Sequence, residues 1–186
     1  MRIIAGKYKR RFITPPKNLP VRPTTDLARE SLFNILTSKI DLTGKTVLDL
    51  FSGTGAVSYE FISRGCKQVL AVDVNYQCVK FIRKTSSAFE MNELSVIKGD
   101  VFKFLTKTRL TFDLIFADPP YDLELLKTLP DLVFEKDLLR LGGYFILEHP
   151  KIYDFSNHPN FLEHRKYGKV NFTFFRNIED LKKGEE

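Results

Sequence analysis

Hydrophobic and polar positions alternate in blocks along this chain from residue 45 onward. Short, uninterrupted apolar runs are separated by longer segments in which apolar residues recur at helical spacing. Continuous apolar strands that alternate with helices are typical of a parallel sheet covered on both faces. We therefore predict an α/β fold with a doubly wound, mostly parallel sheet. The predicted strands lie at residues 46–51, 69–72, 96–97, 113–117 and 144–147.

Two helices and a closing strand complete this prediction. Residues 76–91 form one helix, with Val79, Ile82 and Phe89 spaced for a single buried face. The strand at residues 169–176 is rich in phenylalanine, and we expect it to pair antiparallel.

The other helix precedes the first strand and begins near Thr24, Thr25 or Asp26, any of which can cap it. Its predicted apolar stripe consists of Leu27, Leu32, Ile35 and Leu36.

The front of the chain differs from this pattern. Residues 2–4 and 8–13 flank Ala5-Gly6, which predicts a short β-hairpin with a glycine turn, and a proline-rich extended linker follows. The whole length of 186 residues suits one domain with a full core and a small appendage. We therefore divide the chain into a basic hairpin and linker, residues 1–20, and a single domain, residues 21–186.

The charge is concentrated at this front end. The net charge is +6, and residues 1–30 contain eight Lys and Arg against two Asp and Glu, so the other 156 residues contain 21 of each. A basic arm on a neutral body is typical of contact with a phosphate backbone, although a tail that promotes solubility has the same composition. The predicted RNA contacts are Arg2, Lys7, Lys9, Arg10, Arg11 and Arg22. For Arg22 we keep open a second role, closing over a cofactor or holding the helix against the sheet.

Several classes of protein are disfavoured by composition. No apolar run reaches the roughly 18 residues of a membrane span, and the N-terminus lacks the apolar stretch of a secretory signal. Cys66 and Cys78 have no metal-site spacing, and neither do the three histidines. We expect a cytoplasmic protein with reduced thiols, no bound metal and no membrane partner.

A glycine turn follows the first predicted strand. Gly53 and Gly55 allow the backbone to approach a ligand closely, and Asp73 ends the second strand, where an acid can bind ribose hydroxyls. Ser58 replaces the third glycine of a dinucleotide fingerprint, and Asp49 places negative charge where phosphates would lie. A cofactor that carries a cationic sulfonium and an ammonium suits this turn better than a pyrophosphate does.

The most informative residues are Asp118-Pro119-Pro120-Tyr121, at the end of the fourth predicted strand. The exocyclic amine of a nucleobase is a poor nucleophile, because its lone pair is delocalised into the ring. A carboxylate and a rigid carbonyl can accept its two N–H bonds, and a tyrosine ring can stack on the base. These residues alone could equally form an ordinary turn. Their place in an ordered series of strand-end motifs favours a catalytic loop.

The motifs together resemble the class I S-adenosylmethionine-dependent methyltransferases. Residues 49–55 are similar to the first motif of these enzymes, Gly99-Asp100-Val101 to their adenine-contacting segment, and the loop to the catalytic loop of amino-group methylases. The resemblance implies a seven-stranded Rossmann-like sheet, S-adenosylmethionine as cofactor, and an Asp100 carboxylate that accepts from adenine. The implied cofactor contacts are Asp49, Phe51, Ser52, Gly53, Gly55, Asp73, Val74, Asp100, Val101 and Asp118.

Residues 1–9 and 22–34 narrow the resemblance to the bacterial 16S rRNA (guanine-N2)-methyltransferase family of the RsmD type. That family implies a guanine in small-subunit ribosomal RNA as the acceptor. We expect a monomeric protein that meets this RNA within the small subunit or an assembly intermediate. Leu141 stands where many relatives have proline, and residues 151–186 match poorly. The alternatives are a DNA adenine-N6 methyltransferase, a non-catalytic RNA-binding assembly factor of the same fold and, least favoured, a small-molecule methyltransferase.

Overall fold

A seven-stranded sheet forms the centre of the protein. The computed structural model describes residues 1–17, 19, 26–168 and 170–178. The strands are β1 (Thr46–Leu50), β2 (Gln68–Asp73), β3 (Leu94–Lys98), β4 (Phe112–Ala117), β5 (Leu139–His149), β6 (Phe161–Tyr167) and β7 (Val170–Arg176). The helices are α1 (Asp26–Lys39), α2 (Ala56–Ser63), α3 (Tyr76–Ala88), α4 (Val101–Lys107) and α5 (Leu129–Glu135), and a 3₁₀ turn (Glu124–Thr128) precedes α5.

The strand order is β3-β2-β1-β4-β5-β7-β6. The first five strands pair in parallel, and β7 lies antiparallel between β5 and β6. The predicted fold class, a mostly parallel doubly wound sheet of seven strands, is therefore confirmed. Strand β6 was not predicted, because it is an edge strand whose charged, largely exposed residues lack the apolar run that marks the inner strands.

Helices cover both faces of the sheet. Val47 packs with α1, α2 and α3 on one face, and its neighbour Leu48 packs with α4 and α5 on the other. Successive side chains of a strand point to opposite faces, so an uninterrupted apolar strand serves two cores. The carboxyl ends of β1, β2 and β4 consequently lie along one edge, between two rigid helical layers.

The N-terminal segment is packed onto the first of these cores. Arg2 and Phe12 form an antiparallel bridge, and Ile3, Tyr8 and Ile13 are buried among the residues of α1 and α2. The predicted hairpin is confirmed in outline, but Tyr8 and the following residues through position 10 form a longer turn rather than strand.

Two helix predictions need correction. Leu27 is 74% exposed, whereas Ala28, Leu32 and Leu36 are buried. Leu27 precedes Leu32 by five residues, which is about 140° around a helix of 3.6 residues per turn, so it cannot share their face. The second correction is that α3 ends at Ala88 rather than at residue 91.

Cys66 and Cys78 are both free and buried, in agreement with the predicted thiols. Burial raises the pKa of Cys66 to about 12 and that of Cys78 to about 11. Among the described residues, no helix has the length and apolar character needed to cross a membrane, and no group of His, Cys, Asp and Glu side chains is placed to hold a metal ion.

Candidate functional site

The turn after β1 has three residues in the left-handed backbone region. Phe51, Gly53 and Gly55 have φ values of 58°, 52° and 77°. A non-glycine residue such as Phe51 adopts this conformation at a cost, and such residues concentrate at functional sites. A Cβ atom on Gly55 would lie 2.9 Å from side-chain atoms of Ile82 and Tyr59, so only glycine fits here.

Asp49 lies beneath this turn and is 1% exposed. The hydroxyl of Ser58, on α2, donates a hydrogen bond to its carboxylate. Burial, with a smaller contribution from the nearby charges of Asp118 and Asp73, raises the pKa of Asp49 to about 7, while the bond from Ser58 opposes the rise. Ser58, which breaks the dinucleotide fingerprint, is thus the partner of the acid in this turn.

Asp73 joins the turn to the end of β2. One carboxylate oxygen accepts the backbone N–H of Gly53 at 2.8 Å, and the other accepts that of Asn75 at 2.8 Å. The backbone N–H of Ser52 donates to the carbonyl of Val72 at 3.2 Å. These bonds fix the turn before any ligand arrives.

The segment after β3 lies further along the same edge. Asp100 is exposed and caps α4, because its carboxylate accepts the backbone N–H of Lys103 at 2.8 Å. Val101 is buried under the helix, and Val74 after β2 is exposed. The structure thus offers an apolar side chain and a carboxylate at this part of the edge.

The loop after β4 begins directly beside β1. The backbone N–H of Asp118 donates to the carbonyl of Leu50 at 3.4 Å, so the loop and the glycine turn share a border. Pro119 is buried, Asp118 is partly exposed and Pro120 is exposed. The partly exposed Asp118 and the rigid Pro119-Pro120 backbone therefore lie beside the buried turn.

Tyr121 closes the loop, and 42% of its surface is exposed. Its hydroxyl donates to the carboxylate of Glu148 at 3.0 Å. Glu148 lies near the end of β5 and is 6% exposed. Sequence reasoning did not include Glu148 in the site, although an acid at a strand's carboxyl end is the same signal that selected Asp49, Asp73 and Asp118.

The basic residues predicted to contact RNA lie apart from this loop. All of those that the structure describes are exposed on the N-terminal segment, namely Arg2, Lys7, Lys9, Arg10 and Arg11. Arg22 lies outside the described residues.

Three of the basic residues have partners within the protein. The Lys7 ammonium lies over the ring of Tyr8, 5.0 Å from its centre. The Arg2 guanidinium lies 3.5 Å from the carboxylate of Asp26, and that of Arg11 lies over the rings of Tyr8 and Phe89, 5.1 Å and 5.0 Å from their centres. Arg29, which is buried, donates to the backbone carbonyl of Arg2 at 2.6 Å and so holds the segment against α1.

Glu60 fixes the same segment to α2. This fully buried carboxylate accepts the backbone N–H groups of Ile4 at 2.8 Å and Ala5 at 3.0 Å, and it also binds the Arg64 guanidinium. A Cβ atom on Gly6 would lie 1.7 Å from a backbone carbonyl oxygen of α2, so the contact requires glycine. A charged residue inside the apolar run of α2 was the available signal, and sequence reasoning missed it.

Comparison with known proteins identifies the family. The model of the family described as Conserved hypothetical protein 95 matches residues 1–176. The ribosomal RNA small subunit methyltransferase D of Buchnera aphidicola (subsp. Baizongia pistaciae) is 27% identical, covering 97% of this chain and 94% of the relative. A Bacillus subtilis protein provisionally named rRNA methyltransferase YlbH is 32% identical, covering 81% of this chain and 83% of the relative.

A solved structure has the same fold over almost the entire chain. The Escherichia coli protein yhhF, provisionally named a methyltransferase, superimposes with a TM-score of 0.85 and covers 96% of this chain and 98% of its own, at 22% identity. The chain belongs to the Conserved hypothetical protein 95 family, the RsmD type of S-adenosylmethionine-dependent methyltransferases.

Proposed function

We propose that this protein transfers a methyl group from S-adenosylmethionine to the exocyclic N2 amine of a guanine in 16S ribosomal RNA. The main observation behind the proposal is that the loop after β4 lies directly beside the turn after β1. The exposed loop of Asp118 to Tyr121 begins beside the buried turn that follows Asp49, with the Asp118 N–H on the Leu50 carbonyl. An acceptor amine held on the loop would therefore face a donor held on the turn.

The residues of the turn fit the charge and shape of the donor. When bound, S-adenosylmethionine supplies a methyl carbon on a cationic sulfur, which the amine lone pair attacks as the carbon–sulfur bond breaks. Asp49 offers a buried carboxylate to the positive groups, and Asp73 offers a carboxylate to ribose hydroxyls. The hydroxyl of Ser52 is buried and has no hydrogen-bond partner among the described residues. Asp100 and Val74 provide a polar and an apolar contact for adenine.

The loop would hold the acceptor. The Asp118 carboxylate and the Pro119 carbonyl accept the two N–H bonds of the guanine amine, which orients its lone pair. Tyr121 supports the base by stacking, and the bond from its hydroxyl to Glu148 limits the positions that the ring can take. The amine loses a proton after it becomes cationic, and Asp118 can accept that proton. The protein thus acts by positioning and by electrostatic stabilisation.

Ribosomal RNA is favoured as the substrate by the exposed basic residues of the N-terminal segment and by the names of the relatives. Enzymes that methylate adenine in DNA generally carry a sizeable target-recognition domain, and the elements described here beyond the core are short. Guanine N2 as the acceptor rests on the family resemblance.

The test is a transfer assay with S-adenosylmethionine carrying a labelled methyl group. Naked 16S rRNA, small ribosomal subunits and duplex DNA are incubated separately, and the modified nucleoside is identified by mass spectrometry. We expect N2-methylguanosine in RNA and no label in DNA. Label in DNA adenine, or binding of S-adenosylmethionine without transfer to any RNA, would contradict the proposal.

A further inference from the structure

The N-terminal segment presents a set of exposed residues whose order along the protein is fixed. We call Arg2, Lys7, Lys9, Arg10 and Phe12 the arm surface. All five are exposed, Phe12 to 75%. Among the described residues, no ion pair engages Lys7, Lys9 or Arg10. The Lys7 ammonium lies over the ring of Tyr8, 5.0 Å from its centre, and this contact leaves its charge uncompensated.

One end of the arm surface lies at the catalytic edge of the sheet. The hydroxyl of Thr54, in the glycine turn, donates to the sulfur of Met1 at 3.6 Å. Arg2 follows Met1 and pairs directly with Phe12 across the short bridge. Directly opposed residues of an antiparallel pair project from the same face, so a cation and an aromatic ring stand together here.

The other end lies beyond the far end of α2. The backbone N–H of Lys7 donates to the carbonyl of Ser63 at 2.7 Å, and Ser63 is the last residue of α2. This helix begins at the carboxyl end of β1 and returns towards the amino end of β2. Its eight residues make it about 12 Å long, at roughly 1.5 Å per residue. The arm surface therefore runs alongside α2, away from the catalytic edge.

We infer that the arm surface binds the RNA on one side of the target nucleotide, over several successive nucleotides. We call this extended contact the track. The inference rests on the proposed function and adds a direction and a length to it. Arg2 and Phe12 contact the nucleotides next to the target, with Phe12 stacked on an unpaired base. Lys7 and Lys9 bind phosphates farther along, about three to four steps away at roughly 3.4 Å per step of one duplex strand. Arg10 lies nearer to Arg2, because its backbone N–H donates to the carbonyl of Ile3 at 2.9 Å.

Two properties of the arm surface indicate RNA as the partner: the types of its side chains and the fixed position of the segment that carries them. Exposed cations interleaved with an exposed aromatic ring suit a phosphate backbone that carries stackable bases. The buried Glu60 carboxylate and the close fit of Gly6 hold the segment in place. A flexible tail would attract RNA without regard to its length, whereas a fixed track responds to where the RNA ends.

The experiment combines charge removal with RNA truncation. Fragments of 16S rRNA around the modified guanine are shortened from the 5′ or the 3′ side, and binding is measured against salt concentration. The test variant is Lys7→Ala with Lys9→Ala. The matched control is Lys107→Ala with Lys136→Ala, which removes one exposed charge at the end of α4 and one directly after α5, on the opposite face.

On the full fragment we expect the test variant to lower the slope of log affinity against log salt by about 1.4 to 1.8, because each lost phosphate contact contributes about 0.7 to 0.9. The control variant leaves the slope unchanged. Once one flank is shorter than about four nucleotides, the wild type and the test variant bind equally. Arg2→Ala with Phe12→Ala weakens binding to long and short fragments alike.

Two results would contradict the track. In the first, Lys7→Ala with Lys9→Ala weakens binding equally on every fragment. In the second, this variant binds the full fragment as the wild type does. Melting curves and S-adenosylmethionine affinity confirm that each variant is folded. The same fragments are tested for methyl transfer. Failure of the fragments, of naked 16S rRNA and of small subunits alike to accept methyl contradicts the proposed function, whereas transfer without the length dependence of binding contradicts the track alone.

Discussion

The two sides of the candidate site are built differently. On the donor side, Asp49 is 1% exposed and Asp73 has both carboxylate oxygens bonded to backbone N–H groups. On the acceptor side, Asp118 is partly exposed and Tyr121 is 42% exposed. The proposed donor side is therefore organised before binding, whereas the proposed acceptor side is open to solvent and to a base of an RNA substrate.

This difference separates the energetics of the two sides. A preorganised, buried pocket binds a small cofactor without the RNA, because its polar groups already have fixed positions. An open loop gains its interactions only when a base arrives. Substitutions on the acceptor side should therefore affect transfer and RNA recognition, and substitutions on the donor side should affect cofactor affinity and stability.

The largest effect is expected for Asp118→Ala. Removing the carboxylate that orients the amine should lower the rate of methyl transfer by about 10³-fold, at the upper end of the range for one electrostatic group. Affinity for S-adenosylmethionine, measured by calorimetry, should stay close to that of the wild type. Transfer comparable to the wild type on a proper RNA substrate would remove Asp118 from the catalytic role.

The second-largest effect is the pH dependence of folding stability that Asp49 contributes. Folding raises the pKa of this carboxyl from an ordinary value of 3.8 to about 7. Between these two values the folded protein keeps a proton that the unfolded chain releases, so the contribution of Asp49 to stability falls as pH rises from 4 to 7. At about 1.36 kcal/mol per pKa unit, the total change is on the order of a few kcal/mol.

Asp49→Asn removes this titration and keeps an oxygen that can accept from Ser58. We expect the variant to gain stability relative to the wild type as pH rises across that window, as measured by denaturant unfolding at pH 5 and pH 8. At pH 8 its affinity for S-adenosylmethionine should be lower than that of the wild type. Below pH 7 the affinity of the wild type should decrease as Asp49 becomes protonated, and the affinity of the variant should not. Parallel stability curves for the two proteins would contradict the raised pKa.

The smallest effect should come from Tyr121. Loss of stacking on one base costs about 1–3 kcal/mol, so Tyr121→Ala should raise the RNA KM by roughly 10- to 100-fold. Tyr121→Phe keeps the ring and loses only the bond to Glu148, so its change should be smaller. Equal effects of the two substitutions would mean that the hydroxyl rather than the ring face is what matters.

Much of the fold could be predicted from the sequence, because its inner strands and helices produce local patterns. Residues 114–117 are all apolar, as a strand buried on both faces requires. The strand predicted at 113–117 differs from the observed β4 by one residue. The edge strand β6 could not be predicted, because a half-exposed strand has no such run. Leu27 was misplaced for a different reason, since its spacing from Leu32 already sets it about 140° away around the helix.

The candidate site likewise contains residues that the sequence predicts and contacts that it does not. Asp49, Asp73 and Asp118 could be selected because parallel strands bring their carboxyl ends to one edge, and position in sequence then predicts position in space. The bond between Tyr121 and Glu148 joins residues 27 apart, and the bond between Ile4 and Glu60 joins residues 56 apart. No local pattern specifies such pairs.

The sequence by itself determined the class of fold, the series of acids at strand ends and the excess of positive charge at the N-terminus. Tertiary structure alone decided that Asp49 keeps its proton to about pH 7, that Glu148 binds the loop tyrosine, and that the basic segment is fixed along α2. The physical reason is that periodicity and strand order are properties of neighbouring residues. Burial, ion pairing and the direction of a surface depend on which distant parts of the chain pack together.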